Sequence, residues 1–198
     1  MIDDYVCKAF KAAHNADVSA ALFLNDYGIA APIGFEQAKA YKAFQVIADL
    51  QQRGCGISGV GLETHVDMSI DNDEYSAIRS NMNRYGDLNL RVMFSGVDVR
   101  CNKFGNPALC TFTADPWPAE SLKAQGRVYS RLLNLCLYAQ HCDAFITWGF
   151  SDWSQEYGGK QNPLPFDKDF RPKEAYYEMC FLLQYFTPST SSKNELNE

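Results

Sequence analysis

Apolar positions along this chain switch between helical and strand spacing in a regular order. A helical pattern covers residues 3–15 and ends near Asn15, and a short apolar-rich strand follows at 21–27. Pro32 stands near the next helix start, a position proline tolerates. Phe35, Ala38, Tyr41, Ala43, Phe44, Ile47 and Leu50 then form a helical stripe, which Gly54 and Gly56 stop. Residues 57–65 read as the second strand. Asp71 or Asn72 is placed to cap a helix that runs to about Tyr85. A buried third strand spans 90–99, and a Gly/Pro/Asn loop spans 101–116. A long helix at 118–140, a fourth strand at 143–150, a Gly/Pro loop and a helix from about Pro172 to Tyr185 complete the pattern. Strands alternating with helices argue for an α/β fold of βαβ units with a parallel sheet. Four such units make half of an eightfold β/α barrel, as one domain over 1–186. The tail from Thr187 to Glu198, rich in Ser, Thr, Asn and Glu, is expected to be disordered.

Composition narrows the function classes. The chain has 198 residues, 46% of them hydrophobic and 21% charged, which suits one globular unit. A complete β/α barrel takes roughly 250 residues. The net charge of −6, with no run of Lys and Arg to track phosphates, argues against nucleic acid. No apolar run approaches the ~20 residues that span a bilayer, so no membrane partner is expected. Met1-Ile2-Asp3-Asp4 lacks the basic and apolar regions of a signal peptide. Seven cysteines are many, and the odd total leaves at least one thiol unpaired. Cys101 and Cys110 flank the Gly/Asn/Pro loop and are candidates for a bridge; Cys7, Cys55 and Cys180 remain. The other reading of these cysteines is as small buried hydrophobes. No Cys/His spacing matches a zinc site, and neither metal nor cofactor is expected.

Functional groups of β/α barrels sit at the C-terminal ends of the strands. The strand reading puts Asn25 and Tyr27, Glu63 and His65, Asp98, and Trp148 and Asp152 there. His14 and His141 read as surface helix residues, Trp117 as packing at a helix start, and Tyr176 and Tyr177 as structural residues of the last helix.

Five motifs in order carry a resemblance that runs from about Tyr5 to Phe186. They are Asn25-Asp26-Tyr27 after Leu22-Phe23-Leu24, then Gly59-Val60-Gly61-Leu62-Glu63-Thr64-His65, then Ser95-Gly96-Val97-Asp98. Ile146-Thr147-Trp148-Gly149-Phe150-Ser151-Asp152 is the fourth, and Leu164-Pro165-Phe166-Asp167 with Pro172-Lys173-Glu174-Ala175-Tyr176-Tyr177 is the fifth. Together they resemble family 10 glycoside hydrolases, the retaining endo-β-1,4-xylanases. The family's first half, with the Asn-Glu motif of its acid/base carboxylate, has no counterpart. The resemblance implies a barrel fold, secretion of the parent protein, and xylan or xylooligosaccharides as partners. It also implies a disulfide between Cys136 and Cys142.

Retaining hydrolysis uses two carboxyl groups about 5–5.5 Å apart, one as nucleophile and one as acid/base. The family's nucleophilic Glu falls on Gly96, which has no side chain. His65 and Asp98 match the pair that orients that Glu. Trp148 matches a sugar-stacking Trp, Trp153 lies near the place of a second one, and Asn25 and Tyr27 match the aglycone side. Gly96 has three readings: natural inactivation, an engineered Glu→Gly change, or a different carboxylate taking over. For the last, the candidate is Glu63, where the family usually has Gln. The expected function is therefore that of a xylanase-type chain, inactive alone. The alternative is a non-catalytic carbohydrate-binding or matrix protein derived from a xylanase. Self-association, or pairing with an N-terminal half barrel, is the expected route to a closed fold.

Overall fold

The computed structural model describes residues 2–101, 117–154 and 161–186. The expected loop beyond Cys101 and the tail from Thr187 lie outside the described residues. Helix α1 (Ile2–Ala16) precedes strand β1 (Phe23–Tyr27), and α2 (Gln37–Gln52) leads to β2 (Gly59–Glu63) and β3 (His65–Asp67). Then follow α3 (Asn72–Gly86), β4 (Arg91–Arg100), α4 (Ala119–Tyr138), β5 (Cys142–Thr147) and α5 (Glu174–Tyr185). All named strand pairings are parallel. β1 lies beside β2, β2 and β3 both lie beside β4, and β4 lies beside β5. Neighbours in sequence are neighbours in space, as in one arc of a β/α barrel.

Alternation decides what each strand face does. Val60, Leu62, Val92, Phe94, Val97 and Val99 face the helices and pack with Ile47, Ile78, Tyr85, Tyr129 and Leu132. On the inner face Gly61 leaves room for its neighbours. A Cβ there would stand 2.9 Å from Ser95 Oγ and closer still to Asn25 Oδ1. Gly126 does the same between helices: a Cβ would stand 3.1 Å from the Glu174 backbone, so α4 and α5 cross closely there.

Several expected boundaries move for physical reasons. The second strand is interrupted at Thr64, whose N–H donates to Gly96 O (3.0 Å) and whose hydroxyl donates to Leu62 O (2.9 Å). The fourth strand stops at Thr147, because Gly149 turns the chain at φ +90°. Asp71 is the N-cap of α3, with its carboxylate accepting from Glu74 N–H at 2.9 Å. Phe35 leaves the predicted apolar stripe: it sits in a short turn after Gly34 and is 92% exposed. On α5, Tyr176 packs against Phe166 (ring centres 5.1 Å apart) and Tyr177 (5.4 Å), while Ala175 and Met179 meet the main core. His141 is exposed, in the turn after α4 rather than in a helix, whereas Trp117 is buried next to the start of α4.

The Cys136–Cys142 bridge is present and joins the end of α4 to β5. Cys7–Cys55, not foreseen as a pair, ties α1 to the segment after α2 and sits in a small core with Leu50. Cys101 is also disulfide-bonded, while Cys110 lies outside the described residues. Cys180 is free and exposed. Loop closure makes the two described bridges unequal. The Cys7–Cys55 pair spans 48 residues of sequence and the Cys136–Cys142 pair spans 6. In the chain-entropy account these separations correspond to about 4 and about 2 kcal/mol. Urea unfolding of Cys7→Ser/Cys55→Ser and Cys136→Ser/Cys142→Ser variants is expected to show the first as the larger loss.

Candidate active site

A β-bulge in β4 creates the site. Between Phe94 and Val97, β4 advances three residues while β5 advances two, from Phe145 to Thr147. Plain alternation would send Ser95 and Gly96 to opposite faces; the bulge turns both inward. Ser95 Oγ donates to Asn25 Oδ1. Asn25 Nδ2 in turn donates to Glu63 Oε1 at 2.6 Å. Three strands are thereby linked through side chains.

A second chain of contacts starts from Asp98, which is fully buried. Its carboxylate accepts from His65 Nδ1 at 2.9 Å. It also accepts from Arg100 Nε at 3.0 Å and Nη2 at 3.1 Å. A buried carboxylate needs such paired, multiply bonded surroundings. Because the carboxylate can only accept, the proton is assigned to Nδ1. His65 Nε2 then faces the cleft, 3.5 Å from Glu63 Oε2. The two chains therefore meet at Glu63.

Trp148 covers the inner end of β4. Its backbone N–H donates to Val97 O at 2.9 Å, and its ring meets the His65 ring edge-on at 5.7 Å. A Cβ on residue 96 would stand 2.9 Å from Trp148 Cε3 and 3.5 Å from Glu63 Cγ. The indole thus overlies the place where a side chain at 96 would begin. Tyr27, Glu63, His65, Arg100 and Trp148 line one cleft of about 390 Å³, with Glu36 and Glu74 at its rim. Lys39 Nζ lies 3.5 Å from the centre of the Tyr27 ring and 3.0 Å from Asp26 Oδ1, fixing that wall.

Two expected positions separate from this site. Trp153 does not line the cleft; it is 72% exposed and tilts against Phe170, 6.4 Å away. Asp152 is buried in a structural pair, its Oδ2 2.8 Å from Lys173 Nζ. Burial holds the Asp152 carboxyl above its usual range and pushes the Lys173 amine down, against the attraction of each for the other. Arg100, bonded to Asp98, is a neighbour of the site that the sequence reading passed over; its charged side chain two residues from Asp98 was the available signal.

The sequence profile described as Glycosyl hydrolase family 10 matches residues 1–181. The chain belongs to glycosyl hydrolase family 10. It is 28% identical over 196 residues to endo-1,4-beta-xylanase B of Neocallimastix patriciarum, covering 98% of this chain and 20% of that protein. Xylanase 10B of Thermotoga maritima superposes with a TM-score of 0.75 at 29% identity, over 91% of this chain and 52% of that one. Xylanase 10B of Thermotoga petrophila, solved in complex with xylobiose, gives a TM-score of 0.72 at 27% identity, over 91% of this chain and 51% of that one. The chain spans about half the length of the two solved xylanases and a fifth of the first relative. The described strands make one arc of a β/α barrel of that family.

Proposed function

We propose that this family 10 chain binds β-1,4-linked xylooligosaccharides in the Tyr27–Glu63–His65–Trp148 cleft without the family's covalent step at residue 96. The observation that carries the reading is the pairing of Gly96 with Trp148. A glycine supplies no carboxylate, and the indole lies against it, giving a sugar an aromatic face instead. Asn25, Glu63 and His65 then offer hydrogen-bonding groups to its hydroxyls. The endo-xylanase names of the relatives support the substrate class, and the retained His65–Asp98 pair supports descent from a working site. The role is thus that of a carbohydrate-binding protein on a xylanase scaffold. Secretion is part of the same proposal, supported by disulfides that persist in oxidising compartments. So is closure of the barrel by further strands, from a second copy or an N-terminal half. Among the described residues, β1 and β5 each pair along one edge, and open sheet edges attract strands.

Tryptophan fluorescence titrated with xylotetraose tests the binding reading. A saturable change is expected from Trp148, which is 43% exposed in the cleft. A flat response with xylotetraose at millimolar concentration would contradict it.

A further inference from the structure

We propose that Glu63 is a carboxylate nucleophile in this cleft, standing in for the side chain that residue 96 lacks. The inference rests on the reading that the cleft takes a xylooligosaccharide, and it goes beyond binding. Three observations carry it. The first is place. Glu63 Cγ lies 3.5 Å from the position of a Cβ on residue 96, so Glu63 stands beside the place where a side chain there would begin. The second is support. Asn25, itself bonded by Ser95, holds Oε1 through Nδ2 at 2.6 Å. This positioning residue fixes one carboxylate oxygen of Glu63. The third is access: Glu63 and Trp148 line the same cleft, so a sugar lying on the indole passes the carboxylate.

The step is a displacement at the anomeric carbon. Glu63 Oε2 forms a bond to that carbon while its bond to the aglycone oxygen breaks, and the electron pair leaves with the aglycone. Water then attacks the same carbon, the glycosyl ester breaks, and Glu63 returns as a carboxylate with the water proton passing to solvent. An aglycone that departs as a stable anion needs no proton, so a phenolate with electron-withdrawing substituents suffices. A sugar alkoxide is a far poorer leaving group, and turnover of xylan itself is not part of the proposal.

The test uses the 198-residue chain with 2,4-dinitrophenyl 2-deoxy-2-fluoro-β-xylobioside, whose fluorine slows the second step. The expected result is release of about one equivalent of dinitrophenolate and a mass increase of one 2-deoxy-2-fluoroxylobiosyl group, mapped by peptide sequencing to Glu63. Glu63→Gln is expected to lower the release rate by about 10³-fold or more. Label on Glu36 or Glu74, or no label on a chain that binds xylotetraose, would overturn the assignment while leaving the binding reading intact. Absence of both label and binding would overturn both.

Discussion

Replacing Lys173 with methionine is expected to lower the unfolding free energy by about 3–5 kcal/mol, the usual cost of leaving one member of a buried ion pair alone. Lys173 is 8% exposed. Its ammonium donates to Asp152 Oδ2 at 2.8 Å, to Asn162 O at 2.7 Å and to Leu164 O at 2.7 Å. Asp152 also accepts from Leu164 N–H at 2.9 Å. The substitution strands a buried carboxylate and removes the donor to two carbonyls. The segment it loosens is held from the other side by Gln125, bonded to Val99 O and Asn162 O, and by Tyr129, bonded to Pro163 O. Burial opposes the charges of both partners, so an apolar pair is less costly than a broken one. Asp152→Leu combined with Lys173→Met is therefore expected to lose less than the sum of the single changes. Urea midpoints at constant slope measure all three; additivity would contradict the coupling.

Trp148→Ala is expected to weaken xylooligosaccharide binding by about 10–100-fold, with little change in fold. Burying a large side chain's apolar surface contributes about 1.5–3 kcal/mol, and each 1.4 kcal/mol is tenfold in affinity. The ring is half-exposed, makes an edge contact with His65 and lines the cleft. Trp148→Phe, which keeps an aromatic face, is expected to lose less. Isothermal titration with xylotetraose reads both. Equal affinity in the alanine variant would remove the indole from the binding face.

The order of elements was legible because apolar spacing switches cleanly between strand and helix from β1 to α5. His65 and Asp98 were legible because motif and strand end pointed to the same residues, and they bond at 2.9 Å. What escaped depends on contacts between distant residues. Alternation could not show that β4 bulges at Ser95-Gly96, since that is a matter of register against β5. Composition could not pair Cys7 with Cys55, since α1 and the end of α2 meet only in the fold. Asp152 carried a site-like motif position, but its partner was Lys173, 21 residues on. Trp153 was placed beside the cleft by the family resemblance alone; after the turn at Gly149 its ring lies against Phe170, a contact that no local pattern shows.

Product analysis after prolonged incubation with xylohexaose, at a concentration that saturates the fluorescence change, tests the central claim most directly. The account predicts xylohexaose bound and recovered intact, because Gly96 supplies no carboxylate and the sugar has no activated aglycone. Shorter xylooligosaccharides, formed by the wild-type chain and lost on heat inactivation, would contradict it.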